Sequence, residues 1–325
     1  MIVDGHLDIA WNAVADGRRF DVRTPGYVVS RPALEAAGVG LVFATLYAAP
    51  ASTRRVGASF TYDTPREAAL MGRAQLGWYR SAGPPLIRDR GELEAHVRGW
   101  HPGRLAAVLL MEGADPVEKP VDVAWWAGQG VRIVGPAWSR TRYAGGTGAP
   151  GGLTEDGVKL LRAMRRASLV LDLSHLAERA VADALALWKG PLIASHSNAR
   201  ALVPGDRQLP DATVAEVARR GGVVGVSFFR RHLRADKGAA TLADVARHIV
   251  HHARAAGGPE HVALGTDLDG GFDAAEAPFR RLERISALRA RLRVFSSAQV
   301  EGIMGGNWIE FLRRSLPARV EEDKA

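Results

Sequence analysis

The chain has 325 residues, is 47% hydrophobic and 24% charged, carries a net charge of +8 and contains no cysteine. These figures suit a soluble globular protein with a sizeable core; they exclude disulfides, thiolate ligands and thiol nucleophiles, so any metal must be held by histidine and carboxylate. No apolar run reaches about 18 residues, which excludes a helical membrane span, and no basic segment leads into an apolar core at the start, so a cytoplasmic location is expected.

Apolar, β-branched runs alternate with longer amphipathic segments, as a βα repeat requires. Eight strands are expected, over residues 2–4, 40–47, 105–111, 131–136, 168–173, 191–195, 223–228 and 262–266. Runs such as Leu169-Val170-Leu171 are apolar throughout, which fits strands buried on both faces of a parallel sheet. Helices are expected over 66–80, 121–129, 177–189, 242–256, 280–292 and 298–312, the last broken at Gly305-Gly306. Thr154 is placed to cap a helix whose first turn carries Glu155 and Asp156, while Thr213 with Glu216 and Ser296 with Gln299 fit the capping box. The arginines that dominate the positive charge are scattered over these helices rather than gathered into a basic run, so no nucleic-acid partner is expected.

Residues 49–104 read as an insertion holding two helices, 145–152 as an irregular glycine-rich loop and 321–325 as a frayed end. No linker or internal repeat divides the chain. The expected fold is α/β: a single (β/α)8 TIM-type barrel domain over residues 1–325, with the helical insertion between strands 2 and 3.

In such a barrel the chemistry sits at the C-terminal ends of the strands. His6 and Asp8 follow strand one, Glu112 follows strand three, His175 strand five and His196 strand six, and Asp267 ends strand eight. A lone histidine at a strand end is ordinarily a hydrogen-bonded loop or core residue. Three histidines and three carboxylates at the same end of five strands are instead a metal-ligand pattern. By contrast, His248 and His252 are four apart on a helix but have Ile249 where a metalloprotease helix needs glutamate, so they are expected on a solvated face. His96, His101, His232, His251 and His261 have no ligand-like company.

Several motifs share one resemblance: Asp4-Gly5-His6-Leu7-Asp8 with Trp11, residues 43–47, Glu112-Gly113, Asp172-Leu173-Ser174-His175, Ser195-His196-Ser197-Asn198-Ala199-Arg200, Gly265-Thr266-Asp267-Leu268-Asp269-Gly270 and Gly306-Asn307. Together, along nearly the whole chain, they resemble the membrane (renal) dipeptidase family of zinc peptidases, within the amidohydrolase-type barrels. The resemblance implies two Zn2+ ions per chain bridged by Glu112, with His6 and Asp8 completing one site and His175 and His196 the other. It implies a metal-bridging hydroxide that attacks the amide carbonyl of a dipeptide, with Asp267 passing the proton to the leaving amine. Arg207, eleven residues after His196, matches the arginine that grips the substrate carboxylate. A homodimer is implied by the resemblance alone.

One departure stands out. After strand four the family has a histidine that reaches the substrate carbonyl, whereas this chain has Trp138. Tryptophan offers one N–H donor and cannot become cationic, and loss of a comparable donor costs on the order of 100- to 1000-fold in rate. Arg140, Arg142 and Tyr143 follow in the same loop as candidates for lining a changed pocket. A zinc-dependent dipeptidase is therefore expected. The alternatives are a dinuclear-zinc amidohydrolase acting on another small amide, an N-acyl amino acid, a lactam or a lactone, and, in another class, a metal-stabilised binding protein without turnover. A protein of that last kind has no need of Asp267.

Overall fold

The computed structural model describes residues 1–53 and 60–318; the expected frayed end at 321–325 lies outside them. Strands β1 (Ile2–Leu7), β2 (Val39–Tyr47), β3 (Ala106–Glu112) and β4 (Val131–Gly135) precede a short antiparallel pair, β5 (Ala144–Gly146) and β6 (Ala149–Leu153). Strands β7 (Val170–Asp172), β8 (Leu192–Ile193), β9 (Val224–Val226) and β10 (Val262–Leu264) follow. Residues 145–152, expected as an irregular loop, thus form most of a hairpin, because Thr147-Gly148 supplies a turn in which Gly148 takes φ 66°.

Strands β1-β2-β3-β4-β7-β8 form one curled parallel sheet and β9 pairs with β10. Ala194 bridges to Val224 and joins the two. Beyond β10, Thr266 N–H donates to Asp4 Oδ1 at 2.8 Å and Asp267 N–H to the His6 carbonyl at 3.2 Å, so the last strand leads back to the first. The architecture is α/β and TIM-barrel-like.

The pleat divides the apolar residues between two cores, as alternation along a strand requires. Val3, Phe43, Val108, Leu110 and Ile133 face inward together, closed by Trp308 of the helix Asn307–Ser315. Val42, Leu46, Leu109, Val134 and Leu171 face outward under the helices. The interior is tight at the ligand-bearing end. A Cβ on Gly265 would stand 1.8 Å from the Ser195 carbonyl, so only glycine lets the strands close there.

The insertion holds helices Pro65–Ala82 and Arg90–Arg98, as expected. Thr154 caps its helix and Ser296 with Gln299 forms the capping box, but Thr213 lies inside the helix Asp211–Arg219, and Glu216 pairs with Arg219 and Arg220 instead. No helix among the described residues is long and apolar enough to cross a membrane.

Candidate metal centre

The strand ends bring three imidazoles to one carboxylate. Nε2 lies 3.1 Å from Glu112 Oε1 in His175, 3.3 Å in His196 and 3.4 Å in His6. Asp8 Oδ1 stands 3.9 Å from His6 Nε2. Three ligand sets lie within 4.8 Å: His6, Asp8 and Glu112; Glu112, His175 and His196; and His6, His196 and Asp267. β1 runs further than the sequence indicated and carries His6, while Asp8 begins the helix Ile9–Ala15 without capping it, which leaves its carboxylate available.

Hydroxyl partners aim the imidazoles. Ser195 Oγ donates to Asp172 Oδ2 at 2.5 Å, so it accepts from His196 Nδ1 at 2.8 Å and leaves the Nε2 lone pair facing the cluster. Thr147 Oγ1 lies 3.0 Å from His175 Nδ1 and 3.5 Å from the His175 carbonyl; donating to that carbonyl, it accepts Nδ1–H and again frees Nε2. His6 Nε2 is buried without a hydrogen-bond partner. Asp8 Oδ1 accepts from Thr45. His175 and Asp267 hold left-handed backbone at φ 67° and 60°, conformations that persist only where surrounding structure enforces them. At Gly270 a Cβ would stand 2.1 Å from Asp267 Oδ1, so the turn after β10 must be glycine for Asp267 to keep its place.

Burial dominates the electrostatics. It lowers His6 to about 3, with the Arg207 charge second, and holds His175 and His196 well below the usual imidazole range. Burial raises Asp8 to about 6, opposed by the Thr45 bond. It raises Glu112 and Asp267 well above ordinary carboxylates, the Asp8 charge adding to the effect. Neutral imidazoles with free lone pairs beside mutually repelling carboxylates form a donor set that a divalent cation satisfies. With nitrogen and oxygen donors and no sulfur, the residues fit a metal of the imidazole-and-carboxylate kind.

Residues 1–322 match the family model described as membrane dipeptidase (peptidase family M19). The chain belongs to the membrane dipeptidase family. It is 36% identical over 179 residues to an uncharacterized protein in the pqqA 5' region of Klebsiella pneumoniae, a stretch covering 51% of this chain and 66% of that protein. With dipeptidase tcpJ of Claviceps purpurea it shares 36% identity over 167 residues, covering 50% of this chain and 38% of the other. The matches therefore span less than two thirds of these curated relatives. A metallo peptidase from Rhodobacter sphaeroides, liganded with a phosphinate mimic of the dipeptide L-Ala-D-Ala, superposes with a TM-score of 0.84 at 25% identity, covering 97% of this chain and 99% of that one. The probable dipeptidase PvdM from Pseudomonas aeruginosa has the same fold, with a TM-score of 0.82 at 18% identity over 97% and 95% of the two chains.

In this member of the membrane dipeptidase family the residues expected to meet substrate divide. Arg207 is 9% exposed and donates to the His196 carbonyl at 2.7 Å and to Ser197 Oγ at 3.2 Å. Its Nε is buried without a partner, and it makes no ion pair among the described residues. Trp138 is partly exposed, with its ring 5.8 Å from that of His175. Tyr143 does not line the site: its side chain is fully buried and its hydroxyl donates to the Val117 carbonyl. Arg142 is likewise tied to Asp115 and the Glu118 carbonyl, and Arg140 to the Pro150 carbonyl at 2.9 Å.

The expected solvated face of His248 and His252 is also corrected, since both are buried. His248 Nδ1 accepts from Ala199 N–H at 3.1 Å and His252 Nε2 lies 3.1 Å from the Ser197 carbonyl, so the pair anchors the loop that carries His196. Sequence reasoning quoted Asp4, Asp172 and Ser195 in motifs but assigned no role to them or to Thr147. The available signal was an aspartate two or three residues before each of His6 and His175; as buried residues, these aspartates bind backbone N–H groups around the ligands.

Proposed function

We propose that this chain is a metal-dependent dipeptidase, a single domain built as a closed (β/α)8 barrel that holds two zinc ions. The observation that carries the reading is the unpaired, buried Arg207 guanidinium beside the converging ligand set. The charges of Asp267 and Glu112 offset the guanidinium only at longer range, and a substrate carboxylate would supply the direct partner that it lacks. His6, Asp8 and Glu112 would hold one ion and Glu112, His175 and His196 the other, with Glu112 shared. Bound there, zinc supplies water acidified to near neutrality and polarises a carbonyl.

The chain's own groups do the rest. Arg207 receives the C-terminal carboxylate through a planar two-point pair, which fixes the scissile amide over the cluster. Asp267 takes the proton of the attacking water and delivers it to the leaving nitrogen. Its raised proton affinity, from burial and the Asp8 charge, suits a group that must bind and release a proton. Trp138, standing where the family has a histidine, favours a second reading in which the same machinery cleaves another small amide such as an N-acyl amino acid.

Metal analysis of the purified protein should find close to two zinc ions per chain, and His175→Ala should lower that content. Protein that binds no divalent metal would sink both readings. A panel of L,L and L,D dipeptides beside N-acyl amino acids then decides the substrate class.

A further inference from the structure

Against the metal cluster stands a run of partly exposed aromatic rings. Trp138 packs 5.4 Å from Tyr47, Tyr47 lies 4.9 Å from Trp11, and Trp11 lies 5.3 Å from Phe60, while the other side of Trp138 meets His175. All four aromatic residues are neither buried nor free of neighbours. Large rings held half-open beside a buried polar centre offer apolar area that a ligand can cover.

The wall rises from β1, β2 and β4, whereas Arg207 follows β8 and is bonded to the His196 and Ser197 segment. A substrate whose carboxylate sits on Arg207 and whose amide lies over Glu112 sends its acyl end toward the wall. Asp115, the acid that Tyr62 of the same segment meets, is already engaged by Tyr62 and Arg142, so its charge is not turned to the wall.

Building on the dipeptidase reading, we propose that Trp138, Tyr47, Trp11 and Phe60 form a subsite selecting an aromatic or large apolar group on the acyl side of the scissile amide. The shared chemistry is an aromatic acyl group; it can belong to the N-terminal residue of a dipeptide or to an N-acyl amino acid. Trp138 is then a specificity residue, presenting an apolar ring where the family has a histidine.

The test compares Phe-Ala, Ala-Ala and N-phenylacetyl-alanine on zinc-loaded protein. Phe-Ala should exceed Ala-Ala in kcat/KM on the order of 10- to 100-fold, mostly through KM, because a buried phenyl ring is worth that much in an apolar pocket. Trp138→His should bring the ratio close to one and Trp138→Phe should restore most of it. Turnover of the phenylacetyl compound assigns the acyl source. Binding of phosphinate isosteres of Phe-Ala and Ala-Ala, measured by calorimetry, gives a readout that needs no turnover. Equal turnover and equal binding of the two would overturn the subsite while leaving the dipeptidase reading intact. If no dipeptide is cleaved, the dipeptidase reading fails; tighter binding of the Phe isostere would still support the wall, and equal or absent binding would remove it.

Discussion

The two rims of the metal centre are built on opposite principles. On the β7 and β8 side nearly every polar atom has an assigned partner: Ser195 between Asp172 and His196, Thr147 behind His175, and Arg207 on the His196 carbonyl. On the β1, β2 and β4 side rings touch rings, from Trp138 through Tyr47 and Trp11 to Phe60. Hydrogen bonds fix direction and aromatic packing fixes area, so the first rim is suited to holding ligands and a charged end of the substrate, and the second to covering an apolar part.

That contrast can be broken at the polar rim. Arg207→Met should lower kcat/KM for a dipeptide with a free carboxylate by at least about 30-fold, the loss expected from cutting one partner of a buried charge pair, and should barely change turnover of the amidated substrate. Equal losses on both would strip Arg207 of its role. A smaller effect is expected one shell further out: Ser195→Ala removes the group that aims His196 and should weaken zinc binding by about 10- to 100-fold, measured by chelator competition. Unchanged affinity would mean that Ser195 serves packing alone.

The mildest probe is pH. Asp8 is raised to about 6, whereas His6 is lowered to about 3 and so is already neutral at pH 5. Below about pH 6 a divalent metal must therefore displace a proton from Asp8 in addition to any held by Glu112, whose proton affinity is also raised, so affinity should fall more steeply there, by about tenfold per pH unit for each further proton displaced. Chelator competition measured from about pH 4.5 to about pH 8 should show that steepening below about pH 6. A slope that does not steepen below about pH 6 would remove Asp8 from the titrating ligands.

Much of the centre was legible in the sequence because strand-end ligands in a βα repeat need only the right residue at the right end of the right strand. His6, Asp8, Glu112, His175, His196 and Asp267 meet that condition and converge. Tyr143 and Arg142 were misread because exposure after a strand is decided by what packs over the loop; here the Val117 carbonyl and Asp115 capture them. His248 and His252 were misread for a related reason. Their helix lies over the loop at 197–199, so two imidazoles at helical spacing face buried backbone rather than water. The β5–β6 hairpin escaped notice because its glycines carry no strand propensity, and its pairing depends on neighbours distant in sequence.

The contact between Asp4 and Thr266 joins residues 262 positions apart, and His6 shares in it through its backbone N–H and its carbonyl. Such a long-range closure comes late and slowly in folding, because the chain between must be ordered before its ends can meet. Metal retention during refolding should thus report the final step: tight loading should appear only when the first and last strands have joined, after helix content has already recovered.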